Sequence, residues 1–170
     1  MVFLIAFILI VVLLLLLSAV WPPDSPWSPW WKTYKKAGVA AIRLAKITSK
    51  DKVYELGSGD AEFLLLVAKE TGASCVGVEI DPFRHIIASL RVRINGLGSY
   101  ITLKKKSFYH EDISSATVVY MYLIPRVLKK ITPKLQKELK KETRIISYKY
   151  KMDLPLIKED NIRKLYMYHV

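Results

Sequence analysis

The chain has 170 residues, with 27 Lys and Arg against 15 Asp and Glu, a net charge of +12 and a single cysteine. That length holds one globular domain plus an extension. A lone cysteine excludes an internal disulfide and suits a reducing compartment, with Cys75 read as a core thiol.

Residues 2–20 carry no charged side chain. A helix of that length is about 28 Å long, close to the ~30 Å hydrocarbon core of a bilayer, and the expectation is a transmembrane helix over residues 1–21. A cleavable signal peptide fits poorly, because the apolar run exceeds the ~7–15 residues of such peptides and no Lys or Arg precedes it. All four tryptophans, Trp21, Trp27, Trp30 and Trp31, follow directly, where indole rings favour the headgroup level. Pro22, Pro23, Pro26 and Pro29 rule out regular helix there and make residues 22–31 a stiff juxtamembrane linker. Lys32, Lys35, Lys36, Arg43 and Lys46 come next, so the positive-inside rule predicts a single-pass membrane protein, N-terminus out, with residues 32–170 on the cytoplasmic side. The expected partner of the basic surface is then the bilayer itself, at about 1 kcal/mol per Lys or Arg near anionic headgroups; nucleic acid is disfavoured.

From residue 32 onward helix and strand signals alternate. Residues 33–46 set Val39, Ile42 and Leu44 among alanines as a short amphipathic helix, and 53–56 reads as a first strand. Asp60 is placed to cap a helix over 61–71 that Gly72 ends, and 74–80 is a second strand. Asp81-Pro82 opens a helix closed by Asn95-Gly96, whose Arg84, Arg91 and Arg93 read as solvated charge. Residues 100–108 form a third strand, and the apolar run 117–124 a central parallel one. Pro125 starts a helical region with Leu128, Ile131, Leu135 and Leu139 on one side, where Thr132-Pro133 predicts a kink or two short helices. Residues 144–151 and 162–170 alternate as two closing strands, the last pair antiparallel. The fold class expected is α/β, a parallel sheet with helices on both faces.

In such a sheet ligands sit beyond the carboxyl ends of the strands at the switch point, which gathers Glu55, Gly57, Ser58, Gly59, Asp60, Glu79, Ile80, Asp81 and Pro125. A dinucleotide fingerprint needs a small residue where Glu62 stands, and a pyrophosphate would meet Asp60 at a helix N-terminus. S-adenosylmethionine carries an ammonium and a sulfonium and no phosphate, so Glu55 and Asp60 are complementary to it. Glu79, about twenty residues past the glycines, is placed for ribose hydroxyls. These residues point to S-adenosylmethionine as the cofactor.

The runs ELGSGD at 55–60, VGVEIDPF at 76–83 and YLIP at 122–125 resemble the class I methyltransferases. They are most similar to the small membrane-anchored protein-lysine methyltransferases of the ATP synthase c-subunit and adenine nucleotide translocase, with their prokaryotic relatives. The resemblance covers roughly residues 37–155. It implies a Rossmann-like sheet abbreviated at the C-terminus and methylation of a lysine in a membrane-associated protein. It also places Ser107 and Phe108 at the adenine. Three departures stand out: Ala61-Glu62 where relatives have Gly-Arg, Asp81-Pro82-Phe83 for Asn-Pro-Trp, and Ser107 where Asp or Asn is commoner.

Methyl transfer asks chiefly for alignment of two reactants and a neutral acceptor amine, which burial in an apolar channel favours. Tyr122 and Pro125 are the residues expected along that channel. His85, His110 and His169 are dispersed without ligand-spaced partners, and no metal is expected. Two other readings stay open: the same donor with a lipid or lipophilic acceptor, and a non-catalytic, membrane-tethered basic platform.

Overall fold

The computed structural model describes residues 2–20 and 33–170, with side chains described in the first segment as far as Leu14. The expected Trp belt and linker, residues 21–31, lie outside the described residues. Helix α1 (Val2–Val20) is one 19-residue helix with no acid in its first turn and no base in its last. Its described side chains are all exposed. Among the residues described in full, no helix is long and apolar enough to cross a membrane.

The remaining elements run α2 (Lys35–Leu44), β1 (Lys52–Leu56), α3 (Glu62–Thr71), β2 (Ser74–Glu79), α4 (Pro82–Ile94), β3 (Ile101–Lys105), a 3-10 turn (Phe108–His110), β4 (Val118–Met121), α5 (Pro125–Glu138), β5 (Arg144–Tyr148), β6 (Leu156–Asp160) and β7 (Leu165–Tyr168). They build one seven-stranded sheet in the order β3-β2-β1-β4-β5-β7-β6. Strands β1 to β5 pair in parallel and β7 runs antiparallel to both neighbours. Strand order reverses between β1 and β4, and the carboxyl ends there form the crevice a ligand uses.

Two apolar layers hold the sheet. Helices α2, α3 and α4 cover one face through Ala41, Phe63, Leu64, Val67 and Ala88, packed on Val53, Cys75 and Ile146. Helix α5 covers the other with Leu128, Ile131 and Leu135 on Leu56, Val119 and Ile145. At the amino ends of the strands Asp51 is closed in: Thr48 N–H donates to one oxygen at 2.8 Å, the Thr117 hydroxyl to the other at 2.8 Å, and Arg144 pairs with it.

Several expectations are corrected. The sheet is not abbreviated, since β6 supplies a seventh strand; what is short is the β5–β6 connection, which holds no helix. The closing strand starts at Leu165 rather than residue 162, because Lys164 takes a positive φ of 55° and turns the chain. Strand β3 ends at Lys105, where Ser107 caps the 3-10 turn by accepting from Tyr109 N–H. Pro133 does not break α5, which runs as one helix. Pro133 and Lys129 are both exposed, so the carbonyl that loses its donor faces water.

Helix α4 also differs from expectation. It starts as predicted, Asp81 accepting from Arg84 N–H at 2.9 Å, but it buries only Ala88 and Val92. Its solvent face is apolar, with Phe83, Ile86, Ile87, Leu90 and Ile94 exposed. Arg84 and Arg91 turn inward to carboxylates.

Candidate active site

Strand β1 delivers Glu55 to the crevice and hands over to Gly57 and Gly59, whose φ of 79° and 52° are in the left-handed region that glycine adopts at little cost. The turn is pinned to β2: Gly57 and Ser58 N–H both donate to Val78 O, at 2.9 and 3.1 Å. Glu79 then braces two loops at once, one carboxylate oxygen accepting from Gly59 N–H at 2.8 Å and the other from Asp81 N–H at 2.9 Å. Each oxygen keeps a second lone pair, so the carboxylate can still accept from a ligand's hydroxyls. The β3 loop joins here through Lys106 N–H, which donates to Glu79 O at 3.1 Å; this sets Ser107 and half-buried Phe108 beside the acid. Ile80, half-buried, links Glu79 to Asp81.

Gly77 was not singled out from the sequence, yet the packing depends on it. A Cβ there would come within 2.7 Å of Leu64, 2.8 Å of Leu103 and 2.9 Å of Ser58 Oγ, so only glycine lets α3 and the loop approach β2. Glycine inside a strand is the sequence signal for such an approach.

Asp60 does not cap α3. The N-cap is Ala61, at φ 60°, with no side-chain hydrogen bond. The Asp60 carboxylate instead meets Arg91 Nη1 at 2.8 Å, and Arg91 also donates to Asp60 O at 2.9 Å and pairs with Glu62. Asp60 therefore brings less free negative charge to the crevice than its place in the loop suggests, and Arg91, read as solvated, is the residue that holds the loop to α4.

What remains open in the crevice is Glu55. It is 5% exposed, its Oε2 is buried without a hydrogen-bond partner, and Ser58 Oγ is in the same condition. Burial, and after it the Asp60, Glu79 and Glu62 carboxylates, push the Glu55 carboxyl well above its usual range. A cation entering the crevice would reverse that shift and give Glu55 a partner. Buried, unpaired acceptors beside a glycine turn fit a cationic ligand whose close approach needs backbone without side chains. Cys75, pushed up to about 12 by burial and by Glu55, is an inert core thiol.

Across the switch point, Tyr122 follows β4, half-buried, with its ring 4.6 Å from that of Tyr148. Lys149 Nζ lies 5.1 Å from the Tyr122 ring centroid and 5.9 Å from that of Tyr148. The Tyr122 hydroxyl beside it holds the Lys149 ammonium above its ordinary pKa. Leu123 reaches back to the glycine turn, 3.2 Å from where a Gly57 Cβ would stand. Pro125, at the first turn of α5, is exposed at the rim. Sequence reasoning named Tyr122 and Pro125 but not Tyr148 or Lys149, which reach the Tyr122 ring only through β4–β5 pairing.

Residues 55–156 match the family model described as the ANTKMT methyltransferase domain. The chain belongs to that family. A protein-lysine N-methyltransferase of Saccharolobus islandicus (strain REY15A) is 36% identical over 128 residues, covering 75% of this chain and 80% of the relative. A lysine N-methyltransferase of the ATP synthase c-subunit, from Xenopus laevis, is 26% identical over 98 residues, 58% of this chain and 43% of that protein. Among solved structures, an RNA methyltransferase of Salinibacter ruber in complex with S-adenosyl-L-homocysteine superposes with a TM-score of 0.76 at 29% identity, covering 82% of this chain and 93% of that one. The protein is an S-adenosylmethionine-dependent methyltransferase, and the crevice of this methyltransferase, with its orphaned Glu55 and Ser58 oxygens, fits the ammonium and sulfonium of that phosphate-free donor.

Proposed function

We propose that the enzyme methylates the side-chain amine of a lysine in a membrane-associated protein. The observation that carries this reading is the 36% identity to a protein-lysine N-methyltransferase over three-quarters of the chain. S-adenosylmethionine supplies an electrophilic methyl group on a sulfonium. Glu55, Ser58, Glu79 and the backbone of Gly57 and Gly59 hold it, Ser107 and Phe108 flank its base, Ile80 and Asp81 close the β2 side, and Asp60 shapes the loop through Arg91. The acceptor passes Pro125 and lies along the Tyr122 and Tyr148 rings. The Lys149 cation close by disfavours a second ammonium there and keeps the incoming amine neutral. The amine lone pair forms the N–C bond as the S–C bond breaks, and the departing proton goes to solvent.

Membrane attachment belongs to the same proposal. It is supported by the uncharged sequence of residues 2–20, by their single unbroken helix, and by the excess of basic residues that follows. The anchor puts the domain on the cytoplasmic side, within reach of substrates at the bilayer.

A second reading has two observations in its favour: the Salinibacter ruber neighbour is an RNA methyltransferase, and this chain is strongly basic. Incubating the full chain with radiolabelled donor and native membranes separates the two. Label in protein that resists RNase and solvent extraction and hydrolyses to methyl-lysine is the expected result; label lost to RNase or carried into the lipid phase would overturn the lysine assignment. In alkaline carbonate the full chain is expected to stay with the membrane pellet, and release into the supernatant would defeat the anchor. Tyr122→Phe should lower turnover with donor affinity unchanged.

A further inference from the structure

On the side of the domain where α2 crosses the edge of the sheet lies a groove of about 690 Å³. Lys35, Lys36 and Arg43 form one wall, Lys158 and Arg163 the other, and all five are exposed. The one acid lining it, Asp160, is paired with Arg163 at 2.8 Å. Its floor is apolar, made by half-buried Val39 and Ala40 and buried Leu44. The β6–β7 turn next to it exposes Ile162 at 90% of its surface.

Cationic walls over an apolar floor ask for a ligand that is anionic at one end and apolar behind it. A free phosphate would satisfy the walls and leave the floor wet. A phosphodiester carrying a glycerol and acyl chain satisfies both, and Ile162 adds an apolar contact at the mouth. The groove is also near a bilayer if α1 is inserted, because 14 residues separate the end of α1 from the start of α2, a distance the chain spans with at most about 50 Å. The location thus rests on the anchoring proposal, but neither the donor nor the acceptor enters.

We propose that the groove between α2 and β6 binds the headgroup phosphate and glycerol of an anionic phospholipid. Binding there would orient the catalytic domain against the membrane surface as well as tether it, because it fixes a second point of the domain beside the point where the chain leaves α1.

The test uses the full chain in neutral maltoside micelles, titrated calorimetrically with dihexanoyl phosphatidylglycerol, dihexanoyl phosphatidylcholine and inorganic phosphate. The anionic lipid is expected to bind at least about tenfold more tightly than the zwitterionic one, without competition from millimolar phosphate. Lys36→Glu with Arg43→Glu is expected to weaken the anionic lipid by about tenfold or more and to leave S-adenosylmethionine affinity unchanged. Equal affinity for the two lipids, or an unaltered double variant, overturns the site. Phosphate that displaces the lipid overturns the lipid as its source. Should the double variant lose donor affinity, Lys158→Glu on the opposite wall decides: loss of anionic-lipid binding with donor affinity intact supports the groove, and no loss refutes it. Carbonate extraction reads the anchor separately, so a failed anchor and an empty groove give different results.

Discussion

Asp51 and Glu55 are four residues apart, one just before β1 and one near its end, both buried, and their surroundings could hardly differ more. At the amino end of the sheet burial works against the charge of Asp51, but the Thr48 N–H, the Thr117 hydroxyl and Arg144 outweigh it and hold the carboxyl below its usual range. At the carboxyl end Glu55 has burial and three neighbouring carboxylates against it, and it rises. The closed network fastens the sheet, whereas the open one leaves a buried acceptor waiting for a cation. The lesson is that a buried acid marks a ligand site by the partner it lacks, not by its burial.

The largest effect expected on this contrast comes from Asp51→Asn, which leaves Arg144 without its carboxylate and should cost about 3 kcal/mol, or roughly 5–10 °C in thermal unfolding. The pH slopes of the two acids are opposite in sign. With its folded pKa depressed, Asp51 contributes stability above the ordinary carboxylate range that is lost as pH falls through the folded value. With its folded pKa raised, Glu55 favours the fold most below that range and ceases to as pH rises through its folded value. Glu55→Gln should therefore leave stability at neutral pH equal or higher and flatten the alkaline side of the curve, while weakening donor binding about tenfold or more. It should also abolish proton release on donor binding, read by calorimetry in buffers of different ionisation heat. A Glu55→Gln variant less stable than wild type at neutral pH would erase the distinction between the two ends.

Smaller effects test the supports of the open end. Gly77→Ala should cost about 1–2 kcal/mol by crowding Leu64, Leu103 and Ser58, and should reduce donor affinity because Ser58 must move. An unchanged melting temperature would mean that the strand and α3 can part freely. Arg91→Met removes the cation that Asp60 and Glu62 share. At about a third exposed, that arginine should be worth only about 1 kcal/mol in urea unfolding, with the loop and donor affinity suffering more than the fold. Ala61→Gly should change stability by less than about 1 kcal/mol, since relief of its positive φ is offset by the lost buried methyl and a looser unfolded chain. A large shift either way would show that one of those terms dominates.

Much of this molecule was legible residue by residue. Alternation of helix and strand predicted the parallel sheet, the Asp81-Pro82 pair predicted the start of α4, Gly72 the end of α3, and the order of glycines and acids predicted the crevice. These are local signals, written in backbone preference and in periodicity. Arg91 was misread because its carboxylates are 31 and 29 residues away, and nothing near it in the chain says whether an arginine faces water or a loop. Strand β6 was missed because its residues are half exposed at the sheet edge, with no apolar alternation to announce it. Pro133 was overread, since a missing amide breaks a helix only when the orphaned carbonyl has no water.

The sequence by itself determined the alternation of helix and strand as far as β5 and a glycine turn flanked by acids that suits a cationic ligand, because each depends on residues close together in the chain. Only the tertiary structure decided which acid is neutralised and which is left open. It turned Asp60 toward Arg91 and left Glu55 alone, brought Tyr148 and Lys149 to Tyr122, and set α2 against β6 to make a cationic groove. Those outcomes depend on strand pairing and on which face each helix buries, and electrostatic partners across such distances exist only once the chain has folded.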